Sequence, residues 1–200
     1  MLIRVVFNQK GGVGKSSIAV NLAAISAHQG LKTLVIDLDP QANSSQYLLG
    51  DDATYSSDKA ALEPNIQNYF EEMLGATQAK GLIGNAIGTL LKTKSKGFEA
   101  YIHRSPFENL DVLPASPSLG SLEHALESKH KIYKLRDAIQ SLSEKYDRIF
   151  IDTPPAFNFF TLSALIASNR VLIPFDCDVF SKRALQSLIE NVIETQDDHN

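Results

Sequence analysis

The 200 residues carry 44% hydrophobic side chains, a formal net charge of −4 and a single cysteine, Cys177. That is enough chain for one well-cored domain or two small ones, with no overall positive charge to mark a nucleic-acid binder. One cysteine excludes an internal disulfide and any metal site built on paired cysteines. No apolar run approaches the ~20 residues of a membrane span, and the chain enters a strand-like run at once, so a cytoplasmic protein without a signal peptide is expected.

The first element is a buried-strand pattern, "IRVVF" (Ile3 to Phe7). A glycine-rich loop, "NQKGGVGKSS", follows and opens a helix in which Ile18, Leu22 and Ile25 stand at helical spacing and Gly30 is the stop signal. "TLVIDLD" (Thr33 to Asp39) is a second strand. The stretch from Asp51 to Asn109 is less regular: a loop, a short amphipathic segment "IQNYFEEML", then glycine-interrupted sequence. It reads as an elaboration between two core strands of a single domain spanning 1–200. "LDVLPA" resumes the strand pattern, and a helical pair runs from Ser118 to about Tyr146. "RIFIDTPP" is the next strand, followed by a helix around Leu162, the strand-like "RVLIPF" and a last helix from about Ser181. Near-continuous apolar strands separated by helices predict an α/β fold: three layers, a mostly parallel twisted sheet with helices on both faces. The end at "ETQDDHN" leaves two readings open, a cut C-terminus or a short member of its class.

Chemistry concentrates at three strand ends. Glycine permits positive φ and close backbone approach, so Gly11, Gly12 and Gly14 between strand and helix suit an anion nest. The strict phosphate-loop pattern, G-x-x-x-x-G-K-[ST], wants glycine where Gln9 stands, and a second lysine, Lys10, precedes Lys15 by five residues. Lys15 is expected to contact the β- and γ-phosphates and the Ser16 hydroxyl to ligate Mg²⁺. Asp37 and Asp39, two apart in an extended strand, point to one face at the carboxyl end of the sheet, where open α/β sheets bind ligands. Two adjacent carboxylates need a cation or donors; either could instead cap a short helix starting near Asn43. Asp152, ending an apolar strand, has the Walker-B arrangement and would hold Mg²⁺ directly or through water. Pro154 and Pro155 suit a switch segment or a plain turn.

Together "KGGVGKSS", "DLDPQANSS" and "IDTPP" resemble the ParA/Soj group of deviant Walker A P-loop ATPases, within the wider MinD-like class. "LDVLPASPSL" and "RVLIPFDCDVFSKRALQSL" extend the resemblance from Leu2 to about Val192. It implies ATP and Mg²⁺ as ligands, with Lys10, Gly11, Gly12, Val13, Gly14, Lys15, Ser16 and Ser17 around the nucleotide and Ser16, Asp37 and Asp152 on the metal. It implies that Lys10 reaches the nucleotide of the other subunit, that Lys15 serves its own, and that Asp39 orients the attacking water. It implies an ATP-dependent homodimer, slow hydrolysis, non-specific DNA binding near the nucleoid, and stimulation by a ParB-like partner or cargo adaptor. A cation delivered in trans acts as an arginine finger does and couples ATP binding to dimerisation.

Two other classes stay in view. A MinD-like membrane-associated ATPase needs a basic amphipathic C-terminal helix, whereas "NVIETQDDHN" is acidic. A metabolic relative, a synthetase or metal carrier, needs a second substrate or cysteine pairs. The lysines of "LKTKSKGF" and "KHKIYKLR", the latter expected on a helix, are solvated or meet DNA phosphates. The histidines lack metal spacing, and Phe157, Phe159 and Phe160 are core or dimer contacts.

Overall fold

The computed structural model describes residues 1–50, 62–82, 97–175 and 181–199. Among these residues six strands build one sheet: β1 Leu2–Val6, β2 Thr33–Asp37, β3 His103–Arg104, β4 Leu110–Leu113, β5 Arg148–Asp152 and β6 Arg170–Leu172. Their order is β3-β4-β2-β5-β1-β6. All neighbours are parallel except the edge strand β3, which runs antiparallel to β4. The helices are α1 Lys15–His28, α2 Asn43–Leu49, α3 Ile66–Leu82, α4 Glu123–Ser128, α5 Lys134–Gln140, α6 Phe159–Ala167 and α7 Ser181–His199.

Alternation along the strands sends successive side chains to opposite faces, and this divides the core in two. On one face Val35, Val112 and Phe150 meet Ala23 and Ala27 of α1 and Leu48 of α2. On the other, Leu34, Ile36, Ile149 and Ile151 meet Phe70 of α3, Leu126 of α4, Ile139 of α5, Phe160 of α6 and Leu188 of α7. Strands covered on both faces must be apolar throughout, which is why they read as continuous hydrophobic runs. The three-layer α/β expectation is met.

Several local expectations are corrected. The second strand stops at Asp37, because the chain turns: the Asp39 amide donates to Asp37 Oδ1 (3.1 Å) and the Ala42 amide to the Asp39 carbonyl (2.8 Å). The inner face of α1 is made of Ala19, Ala23, Ser26 and Ala27, while Ile25 is 55% exposed. Small residues let the helix lie close on the sheet; Leu22 packs half-buried beside them, Ile18 is half-buried, and of the three apolar residues at helical spacing only Ile25 is exposed. Gly30 does end α1, at φ 80, with the Gly30 amide on the Ala27 carbonyl and the Leu31 amide on the Ser26 carbonyl, a Schellman motif.

The basic run Lys129 to Arg136 lies mainly on the turn between α4 and α5, since α5 begins only at Lys134. His130 sits there at φ 52. The described parts of the stretch from Asp51 to Asn109 join the main core: Ile66, Phe70 and Leu74 of α3 pack with Phe98 and Tyr101. Asn65 starts α3 by accepting from the Gln67 amide (2.9 Å). Phe159 and Phe160 are core residues, whereas Phe157 is partly exposed with its ring 6.0 Å from that of Phe7. Lys92, Lys94, Lys96 and Cys177 lie outside the described residues.

Candidate functional site

Register brings the site together. Asp37 and Asp152 are paired on adjacent strands, and Val6 of β1 is level with Asp152 on its other side. The carboxyl ends of β1, β2 and β5 therefore finish side by side. The loop after β1 turns into α1 through Gly12 (φ 75) and Gly14 (φ 81). A non-glycine residue would cost about 1–2 kcal/mol in this left-handed region. Gly14 leads α1 without a side-chain cap, so its first amides lack a capping side chain where an anion would meet the positive end of the helix.

Lys15 is buried at the start of α1 and its ammonium donates to the Lys10 carbonyl (3.2 Å). Lys15 is thus folded onto its own loop, next to Asp39 and Asp152, whose charges act on it. Lys10 is on the exposed outer side of the loop. Gly11, Gly12, Val13, Ser16 and Ser17 complete the loop and the first turn of the helix, with Ser17 outward and Ser16 inward, where its hydroxyl acts on Asp152.

Asp37 is fully buried. Its Oδ1 accepts from the Asp39 amide (3.1 Å), and its Oδ2 from the Ser45 amide (2.9 Å) and Ser45 hydroxyl (2.7 Å). It caps α2 from a distance, a use left open by the sequence, because Ala42 at the cap position has no side chain that could do so. Asp39, also buried, holds the Gln41 amide on Oδ1 (2.9 Å). Asp152 Oδ2 accepts from the Ser44 hydroxyl (2.7 Å), while its Oδ1 is buried without a hydrogen-bond partner among the described residues.

Electrostatics follow from three carboxylates gathered around one buried ammonium. Burial, then the neighbouring Asp152 charge, pushes the Asp37 carboxyl up to about 8 against the bonds from Ser45 and Asp39. Burial raises Asp152 as well, opposed by the Ser16 and Ser44 hydroxyls. Asp39 is raised by burial, opposed by the Gln41 amide and Lys15. Lys15 is lowered by burial, opposed by Asp152 and Asp39. Like charges held this close are unfavourable unless a cation compensates.

The donor set fits a hard divalent cation such as Mg²⁺: an orphaned carboxylate oxygen on Asp152, the Ser16 hydroxyl beside it, and excess negative charge. Asp37 lies next to this set, with both oxygens already engaged by protein donors. Among the described residues no group of three or more His, Cys, Asp and Glu could by itself hold a metal ion, the three aspartates of this site included.

Sequence reasoning did not single out Asn8, Ala42, Ser44 or Ser45. The two serines follow directly on the acidic loop at a helix start, which is a usable signal for carboxylate donors. Ser45 is a hinge of the site, since its hydroxyl also accepts from the Ala115 amide (3.0 Å), tying β4's exit to Asp37. Ala42 adopts φ 56, a strained left-handed conformation that nothing in its residue type announces.

A family model described as an AAA domain matches residues 1–200. The chromosome partitioning protein ParA of Myxococcus xanthus is 32% identical over 188 residues, covering 94% of this chain and 56% of that protein. The chromosome-partitioning ATPase Soj of Treponema pallidum is 32% identical over 193 residues, covering 96% of this chain and 64% of that protein. The chain thus spans 56% and 64% of the lengths of these two curated relatives. Among solved structures, cobyrinic acid a,c-diamide synthase from Mycobacterium smegmatis with bound ADP and magnesium matches with a TM-score of 0.78. That match covers 100% of this chain and 70% of that one at 24% identity, a likeness of fold alone.

Proposed function

This chain belongs to the AAA-domain family in its ParA/Soj type of P-loop ATPase, and from that premise we propose that it is an ATP-driven switch that dimerises on ATP and works on DNA in partitioning or cargo positioning. The observation that carries the reading is the convergence of Lys15, Asp37, Asp39 and Asp152 at the strand ends beside a glycine loop, with a second lysine exposed on the loop's outer side. The relatives named as partitioning proteins support the cellular role.

In this reading Gly11, Gly12, Val13, Gly14, Ser16 and Ser17 receive the phosphates with their amides and hydroxyls. Lys15 leaves the Lys10 carbonyl for the β- and γ-phosphates. Mg²⁺ would supply charge neutralisation at the phosphates when bound, held by Ser16 and Asp152, with the buried Asp37 carboxyl behind them, its oxygens occupied by Asp39 and Ser45. Asp39 orients the attacking water. Lys10, on the exposed side, serves the nucleotide of a second copy, so that the site is complete only in the dimer. Phosphoryl transfer is mostly positioning and charge stabilisation; a site assembled across two subunits therefore makes hydrolysis and dimerisation one event. The protein acts in the cytoplasm at the nucleoid, with a stimulating partner protein.

The test measures DNA binding by the protein with ATP and with ADP across a salt series. Binding that needs ATP and weakens steeply with salt supports the switch. Equal binding with both nucleotides refutes it. Liposome co-sedimentation with ATP would replace it by the membrane class, and phosphate transferred to a metabolite in product analysis would replace it by the synthetase class.

A further inference from the structure

We propose that Asn8 is a positioning residue for Lys10, fixing the loop lysine to the segment that leaves β6. The inference rests on the reading of Lys10 as the group that acts across the dimer. Asn8 Oδ1 accepts from the Lys10 amide (2.8 Å), and Asn8 Nδ2 donates to the Pro174 carbonyl (2.7 Å). Both partners have one possible role: a backbone N–H only donates and a carbonyl only accepts. The orientation of the Asn8 amide is therefore determined. The first bond is an Asx turn, a common way to start a loop. The second spans 166 residues and is not local.

The place of this tie follows from the topology. β1 and β6 are neighbours, and their ladder continues one step past β1, to the Phe7 amide on the Leu172 carbonyl (3.0 Å). Pro174 has no N–H and cannot extend it. The Asn8 side chain takes up the Pro174 carbonyl instead and turns its other end to Lys10. Lys10 in turn holds the Lys15 ammonium on its carbonyl. One hydrogen-bonded chain thus runs from Pro174 through Asn8 and Lys10 to Lys15, linking both lysines to the strand exit that leads toward α7. With the backbone of Lys10 anchored, its side chain explores less space, and less conformational entropy is lost when it reaches a partner.

The prediction is a split between dimerisation and nucleotide affinity. Asn8→Ala removes both bonds. Asn8→Ser keeps a hydroxyl that can accept from the Lys10 amide but is too short for Pro174. Dimerisation is followed by light scattering with ATP, and the affinity of the monomer by titration with a fluorescent ATP analogue. Asn8→Ser is expected to dimerise roughly three- to tenfold more weakly, the size of one lost hydrogen bond, and Asn8→Ala at least as weakly, each with a smaller change in analogue affinity. On a Lys10→Ala background, Asn8→Ala is expected to add no further loss, as groups acting through one another are non-additive.

If Asn8→Ala or Asn8→Ser dimerises like the unaltered protein while Lys10→Ala does not, the Asn8 inference is overturned and the Lys10 reading stands. An equal loss of analogue affinity and dimerisation also overturns it, since Asn8 would then shape the whole loop. A Lys10→Ala protein that dimerises normally removes the trans role and the inference with it.

Discussion

Asp37 offers the sharpest physical test, because its burial turns a carboxylate into a pH-dependent load on the fold. An ordinary carboxyl titrates at 3.8, while burial and Asp152 hold Asp37 up to about 8. Between those values the folded state binds the proton more tightly than the unfolded state. Stability is therefore fully present below the unfolded value and is lost as pH rises toward about 8. One such proton changes stability by about 1.4 kcal/mol per pH unit. From about pH 5.5 to about pH 7.5 the nucleotide-free, metal-free protein should thus lose about 2–3 kcal/mol. Asp152 and Asp39, raised by burial too, act in the same direction. Lys15, lowered by burial, works the opposite way at alkaline pH, so the scan stays below about pH 8.

Asp37→Asn removes the titration but not the volume. Its amide nitrogen must face either the Asp39 or the Ser45 amide, where Asp37 now accepts, and the mismatch costs about 1–3 kcal/mol. The variant should be less stable at about pH 5.5, and the two curves should converge or cross as pH rises. Urea unfolding with chelator at a series of pH values reads this directly, as midpoint shifts at constant slope. An unaltered protein that gains stability over the window, or a variant with an undiminished pH slope, would refute the reasoning.

Three further outcomes are expected. Ser45→Ala strands the Ala115 amide and removes one bond to Asp37, a loss of about 1–3 kcal/mol in urea unfolding, with the fall in stability continuing to higher pH than before because a bond that lowers Asp37 is gone. Ala42→Gly relieves the left-handed strain at φ 56; a net gain of up to about 1 kcal/mol is expected after the extra chain entropy of glycine, and a raised unfolding midpoint checks it. Asp39→Ala is expected to bind ATP and hydrolyse it at least about tenfold more slowly, leaving a long-lived dimer by light scattering; near-normal phosphate release would remove Asp39 as the water-orienting group.

The fold was readable because each of its signals is local. "IRVVF", "TLVIDLD" and "RIFID" are apolar on both faces, as strands between two helical layers must be, and the glycines mark the turn into α1. The first helix was harder, since burial depended on size and not on hydrophobicity: Ala19, Ala23, Ser26 and Ala27 pack on the sheet while Ile25 stays outside. The basic run Lys129 to Arg136 falls inside the helical pair expected from Ser118 to about Tyr146, but the break between Ser128 and Lys134, with His130 at φ 52, depends on tertiary packing.

For the site, the sequence by itself determined which chemical groups are present and at which strand ends: two lysines in a glycine loop and three carboxylates in apolar strand exits. Residue types and spacing carry that information along the chain. Only the tertiary structure decided how they meet, because strand order and register are non-local. It put Asp37 beside Asp152, turned Asp37 to cap α2 through Ser45, left Asp152 Oδ1 without a partner, and set Asn8 between Lys10 and Pro174. The burial that raises the carboxylates exists only once both helical layers have closed over the sheet.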